Sequence, residues 1–190
     1  FFYYKDKYGK LKLPIPNILG EFQLENISNA IATLRSLDIG INDDHIFKGI
    51  KKINNLGRLQ KINTGKLKEL VKNNTLIVDG SHNENGSQVL NKYLETLNCR
   101  KHLVIGMMAN KQHEKYISYF KNISSVTTID IPNQPNSISG EELKDKFKSF
   151  TNVQYQPSII DAIKSVDLKK GDLLLITGSL YLAGAVLSLN

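Results

Sequence analysis

An α/β fold with a doubly wound, mostly parallel sheet is predicted for residues 56–190 by three observations. Short, nearly all-apolar runs recur at Thr75–Val78, Leu103–Ile105, Val126–Ile131 and Leu173–Thr177. Segments of helical period separate them. Three of the runs end in glycine-containing turns, at Asp79-Gly80, Gly106 and Gly178-Ser179. Strands that are apolar on both faces need cover on both sides, and helical crossovers between them make the sheet parallel. About five strands are expected on this pattern.

The first 55 residues are too short for a comparable domain, and residues 1–55 are expected to be the end of a preceding one. Phe1-Phe2-Tyr3-Tyr4 and Leu11-Lys12-Leu13 flank a turn at Lys5–Gly9, which reads as a hairpin over residues 1–16. Pro14 and Pro16 end it, because proline cannot donate to a ladder. A helix follows from about Glu21 to Leu37, with Ile27, Ala30, Ile31 and Leu34 at i, i+3, i+4, i+7 spacing. Gly40 stops it. A second helix starts near Asp43-Asp44 and lines up Ile46, Phe47, Ile50 and Ile53. Asn54-Asn55-Leu56-Gly57 breaks the pattern and marks the domain boundary.

Within the second domain, the helix after Val78 has Val89, Leu90, Tyr93, Leu94 and Leu97 facing inward. Lys111–Phe120 reads as the next helix. Ser139 with Glu142 three residues on is a capping box, opening a helix expected to run through Phe150. Ser158 with Asp161 repeats that signal, with Ile159, Ile160, Ile163 and Val166 inward. An apolar helix closes the sequence at Leu189.

Composition excludes several classes. Of the 190 residues 41% are hydrophobic and 23% charged, which argues against wholesale disorder. No apolar run approaches the roughly 18 residues a membrane helix needs, and no signal peptide opens the chain. The single cysteine, Cys99, excludes an internal disulfide framework and fits a reducing compartment, so a cytoplasmic location is expected. The sequence begins with Phe1 and not with methionine, so it is expected to be an excerpt of a longer product. The formal charge is +7, but the lysines are scattered and only Arg35, Arg58 and Arg100 are arginine. A nucleic-acid footprint would cluster its charge, so no specific nucleic-acid partner is expected.

Ligands of open α/β sheets bind at the carboxyl ends of strands, where Asp79, Ser81, His82 and Asn83, then Asn110 and Lys111, then Thr177, Gly178 and Ser179 lie. Ser81, His82 and Asp79 are too close in sequence to form a hydrolase relay, and no G-x-S-x-G elbow occurs. Asp79 or Asn83 either caps the following helix or orients a ribose or a magnesium-bound phosphate. Arg58, just after a glycine turn at the boundary, either is solvated or reaches a phosphate bidentately. Gly178-Ser179 opens a helix whose free N–H groups attract anions, or simply packs strand against helix. His45, His82, His102 and His113 stand without a second ligand at zinc spacing, and His45 and His113 are expected to be solvated helix residues. Neither G-x-G-x-x-G nor a G-x-x-x-x-G-K-[ST] phosphate loop occurs.

Four segments, in order, resemble one family. Leu19-Gly20-Glu21-Phe22-Gln23-Leu24-Glu25-Asn26 resembles L-x-G-x-H-Q-x-x-N-A. Gly57-Arg58-Leu59-Gln60, followed by Asp79-Gly80-Ser81-His82-Asn83, resembles P-G-R-x-Q … D-G-A-H-N. Ile105-Gly106-Met107-Met108 with Asn110-Lys111 resembles G-M-x-x-x-K-D. Gly178-Ser179-Leu180-Tyr181-Leu182-Ala183-Gly184 resembles G-S-L-Y-L-x-G. The sequence thus resembles the C-terminal half of folylpolyglutamate synthase / dihydrofolate synthase, in the Mur ligase superfamily. The departures are Phe22 for histidine, Leu56 for proline and Gln112 for aspartate.

The resemblance implies a Rossmann-like C-terminal ligase domain, preceded by the tail of a central ATPase domain. It implies a cytoplasmic, monomeric ligase that uses ATP and Mg2+ to join L-glutamate to the γ-carboxylate of a folate through an acyl phosphate. Whether dihydropteroate is also a substrate stays open. By the same resemblance Asn26, Arg58 and Asp79 would bind ATP, and His82 would be catalytic. Ser179 and Lys111 would position glutamate or the acyl phosphate. The magnesium ligands and phosphate loop would belong to a missing N-terminal half, leaving this chain inactive alone. Alternatives are a non-catalytic remnant or split-gene half of such a ligase, a Mur-type ligase for cell-wall precursors, and a nucleic-acid-binding module.

Overall fold

The computed structural model describes residues 1–37 and 39–190, and the chain divides into two compact units, Phe1–Leu56 and Gly57–Asn190. In the first unit β1 (Phe2–Asp6) and β2 (Gly9–Leu13) pair antiparallel, with Asp6 opposite Gly9 across the turn. α1 (Phe22–Ser36) and α2 (Asp43–Lys51) follow. Tyr4, Leu11 and Leu13 from the hairpin pack with Ile27, Ile31, Ile46 and Ile50 from the helices as one core. Ala30, expected inward, is exposed. Asn42 caps α2 by accepting from the His45 N–H, and the His45 ring accepts from the Asn42 N–H in return.

The second unit is built on a six-stranded sheet in the order β3-β4-β8-β5-β6-β7. These strands are β3 (Gln60–Ile62), β4 (Thr75–Val78), β5 (Lys101–Ile105), β6 (Ser125–Ile129), β7 (Val153–Gln156) and β8 (Leu173–Thr177). β3 runs antiparallel to β4, and every other pairing is parallel. The helices are α3 (Lys66–Val71), α4 (Glu84–Glu95), α5 (His113–Ser118), α6 (Gly140–Lys144), α7 (Ile159–Ser165) and α8 (Leu180–Leu189). The fold is therefore α/β with a mostly parallel sheet, as its apolar runs predict. β5, β6 and β8 are buried at every position, because they are interior strands with covered faces.

The differences from expectation lie in short or peripheral elements. The edge strands β3 and β7 carry Gln-Lys-Ile and Val-Gln-Tyr-Gln, which lack the all-apolar signature because an edge is only half covered. Ile160 points outward on α7, while Ile159 and Ile163 are buried. α6 stops at Lys144. From there Lys146 and Phe147 bond to Leu143 and Lys144, a tighter three-residue spacing that turns Phe147 into the core against Phe150. His113, expected in solvent, is buried and bonds to the Met108 carbonyl through Nε2 at 3.0 Å.

One consequence of the strand order governs the site. β8, last in the sequence, lies between β4 and β5. The three loops leaving the carboxyl ends of β4, β5 and β8 are therefore neighbours. The Gly178 N–H donates to the Ser81 carbonyl at 3.1 Å, and the Gly106 N–H donates to Thr177 at 3.3 Å. Gly178 sits at φ +106°, and a Cβ there would come within 2.6 Å of the Gly106 carbonyl oxygen, so only glycine fits.

Candidate functional site

The loop Asp79–Asn83 is held from both sides. One carboxylate oxygen of Asp79 accepts from the Leu59 N–H and the other from the Ser81 N–H, each at 2.8 Å. Asp79 is buried. Its charge is stabilised by these two backbone donors, which in turn tie the Gly57–Leu59 turn to the end of β4. A further bond from the Gly80 N–H to the Gly57 carbonyl, 2.6 Å, zips the same two segments together. Gly57 and Leu59 take φ +67° and +44°, a left-handed bend on either side of Arg58. The bend buries Leu59 and leaves Arg58 exposed, with no ion pair or hydrogen bond among the described residues.

His82 turns its Nδ1 to the Gly80 carbonyl at 2.9 Å. A carbonyl only accepts, so Nδ1 carries a proton, and the tautomer protonated at Nδ1 alone leaves Nε2 as an acceptor. Asn83 caps α4 by accepting from the Gly86 N–H at 2.8 Å. Beneath the loop lies a buried triangle of hydroxyls. Tyr116 bonds to Thr177 at 2.8 Å and to Ser81 at 3.0 Å. Complete burial pushes the Tyr116 hydroxyl well above its ordinary pKa, so it stays a neutral hydrogen-bonding anchor. Tyr116 thus pins the loop after β4 to the end of β8 from inside the protein. No sequence motif marks it, since its partners are 35 and 61 residues away.

His82 and Lys111 line one open cavity of about 400 Å³, together with Asn83, Glu84, Asn85, Asn110 and Gln112. Its walls come from the β4–α4 and β5–α5 loops, which the strand order brings together. Lys111 is half-buried, and among the described residues it makes no ion pair. Of the residues expected at a site, His82 and Lys111 thus share a cavity, and Arg58 and Asp79 share the adjoining turn. Ser179 lies outside the cavity. It is buried, caps α8, and accepts from the Tyr181 N–H at 3.1 Å. Asn26, on α1 of the first unit, is exposed and donates to the Gln23 side chain at 3.1 Å. Among the described residues no three of His, Cys, Asp and Glu gather to hold a metal ion. No helix there is long and apolar enough to cross a membrane.

Residues 57–180 match the model of the Mur ligase, glutamate ligase domain family. No curated protein matches the chain. Among solved structures, the chain is similar to folylpolyglutamate synthase from Thermotoga maritima, with 27% identity and a TM-score of 0.75. That match covers 95% of this chain and 41% of the other. E. coli FolC in complex with ADP matches at 24% identity and a TM-score of 0.78, over 96% of this chain and 42% of that one. The bifunctional folylpolyglutamate synthase/dihydrofolate synthase from Yersinia pestis, complexed with AMPPNP and Mn ion, matches at 19% identity and a TM-score of 0.77. It too is covered to 42%, and 96% of this chain takes part. The chain spans less than half the length of each of these proteins, and the two below 25% identity attest the fold alone. Through residues 57–180, the chain belongs to the family of Mur ligase glutamate ligase domains.

Proposed function

We propose that this chain is the C-terminal half of an ATP-dependent ligase that adds L-glutamate to the γ-carboxylate of a folate. The observation that supports it best is the pairing of two adjacent features at one end of the sheet. One is a rigid turn presenting Arg58, which is exposed and makes no ion pair among the described residues. The other is a cavity holding His82 and Lys111. The first suits a nucleotide phosphate and the second a carboxylate-bearing amino acid. Two of the solved structures this chain resembles hold ADP and AMPPNP respectively.

The reaction proceeds in two displacements. A carboxylate oxygen of the folate attacks the γ-phosphorus of ATP, and ADP leaves. The glutamate nitrogen then attacks the acyl carbon of the resulting acyl phosphate, and inorganic phosphate leaves. Arg58 neutralises charge on the phosphoryl groups, the largest requirement of such a transfer. Asp79 acts through the backbone, holding the Arg58 turn and the His82 loop in one geometry. His82 accepts a proton of the incoming amine at Nε2, and Lys111 holds a glutamate carboxylate. Asn26 is assigned to the adenine. Ser179, which accepts from the Tyr181 N–H at the start of α8, keeps its hydroxyl proton to donate and is assigned to positioning glutamate or the acyl phosphate. The described residues offer no ligand set for magnesium, so no step is assigned to that ion.

The test joins this chain to the remaining portion of a folylpolyglutamate synthase and follows ADP release. Release that requires both tetrahydrofolate and L-glutamate supports the reading. A folded fusion that binds ADP and yet releases none on addition of both substrates overturns it and leaves a non-catalytic remnant.

A further inference from the structure

The cavity beside His82 contains a second charge that the assignment above does not use. Glu84 lines the same space as Lys111, yet the two are not an ion pair within 4.0 Å. One oxygen of the Glu84 carboxylate accepts from the Tyr119 hydroxyl at 2.8 Å. Tyr119 follows the last turn of α5, 35 residues from Glu84, so the carboxylate is oriented by a group outside its own helix. Among the described residues its second oxygen has no partner. The rest of the lining is the His82 ring and four amides, Asn83, Asn85, Asn110 and Gln112.

A cavity lined by a lysine that makes no ion pair among the described residues, and by one oriented carboxylate, favours a ligand that carries both charges. A dicarboxylate without an amine meets Lys111 favourably and Glu84 unfavourably. A simple amine meets the reverse. An amino acid in its zwitterionic form satisfies both poles and leaves its second carboxylate or side chain to the amides.

We propose that Glu84, oriented by Tyr119, is the residue that recognises the ammonium group of the incoming amino acid and rejects carboxylates that lack one. This deepens the ligase reading and rests on it. It concerns selection of the amine donor, before any bond is made.

The experiment is a titration of the isotope-labelled 190-residue chain with L-glutamate and, separately, with glutarate, read from backbone amide resonances. L-Glutamate is expected to move Asn83, Glu84, Asn85, Asn110 and Lys111 and to bind at least about tenfold more tightly than glutarate, the worth of one charge-assisted bond. Glu84→Gln should bring the two affinities together, chiefly by weakening glutamate. Tyr119→Phe should narrow the gap without closing it, because the carboxylate stays but loses its orientation. An unchanged glutamate-to-glutarate ratio in Glu84→Gln overturns the proposal. So does the absence of movement in those residues up to about 50 mM L-glutamate, where even a millimolar site is filled.

The ligase reading fails by a different result, the absence of substrate-dependent ADP release from the fusion. In an active fusion, Glu84→Gln should raise KM for L-glutamate about tenfold while KM for ATP holds. Equal changes in both would refute the specificity role and leave the ligase intact.

Discussion

Replacing Asp79 by asparagine should release the turn that carries Arg58 while the sheet stays folded. Asp79 is buried and its two oxygens serve two backbone donors at 2.8 Å, on Leu59 and Ser81. Asparagine keeps one oxygen and turns an NH2 group toward the other donor. One bond loses its charge, and the other is lost and leaves a buried N–H unsatisfied. A hydrogen bond to a charged group contributes about 1.5–3 kcal/mol, and an orphaned buried donor costs about 1–3 kcal/mol, so a loss near 3 kcal/mol is expected. For a domain with a urea slope of about 2 kcal/mol per molar, the midpoint of the second unit should fall by roughly 1.5 M. Amide exchange supplies a local reading. Leu59 and Ser81 should exchange about a hundredfold faster, which corresponds to the same free energy. Wild-type exchange at both amides with an unmoved midpoint would refute the account of Asp79 as the clamp. An insoluble variant would instead mean that the clamp supports the whole unit.

Three other outcomes are expected. Arg58→Ala should change stability by less than about 0.5 kcal/mol, since the side chain is exposed and has no partner among the described residues, yet weaken ADP binding about tenfold by calorimetry; equal affinity would discard Arg58 as a phosphate ligand. Gly178→Ala should cost roughly 3 kcal/mol or prevent folding, because φ +106° and the Gly106 carbonyl at 2.6 Å both exclude a Cβ, and a urea midpoint within error of wild type would refute this. Asp172 accepts from Arg100 at 2.6 Å, and that guanidinium holds its pKa at about 2. A depressed carboxylate stabilises the fold above its unfolded pKa near 3.9 and loses that stabilisation as pH falls towards 2, so Asp172→Asn should flatten the acid limb of the stability curve by about 2 kcal/mol. Burial lowers the pKa of His102, which adds stability lost in the same direction, beginning nearer pH 6.5. An acid limb of unchanged slope in Asp172→Asn, followed by urea unfolding at stepped pH, would contradict the ion pair's role.

Several features of the fold and the site were legible in the residues themselves. The interior strands announce themselves because burial on both faces demands unbroken apolar runs, as in Leu173–Thr177 and Leu103–Ile105. The helix starts at Ser139 and Ser158 are written in side chains that bond within one turn. The Gly57-Arg58 and Asp79–Asn83 segments could be singled out because their polar residues follow directly on a turn or an apolar strand. Local chemistry of this kind needs no knowledge of what lies across the molecule.

The tertiary structure alone decided what those segments meet. β8 enters between β4 and β5, and this places the loops after all three strands side by side. No local periodicity encodes that order, because it depends on which strands pair once the helices have packed. The same holds for Asp79, whose partner Leu59 is 20 residues away, and for the Ser81–Tyr116–Thr177 triangle. It holds for Ser179, whose burial at the start of α8 follows from the packing of that helix against the sheet. It holds most clearly for the charges of Glu84 and Lys111, which make no ion pair among the described residues. In sequence they are two ordinary residues, and only a shared cavity turns them into a pair of poles.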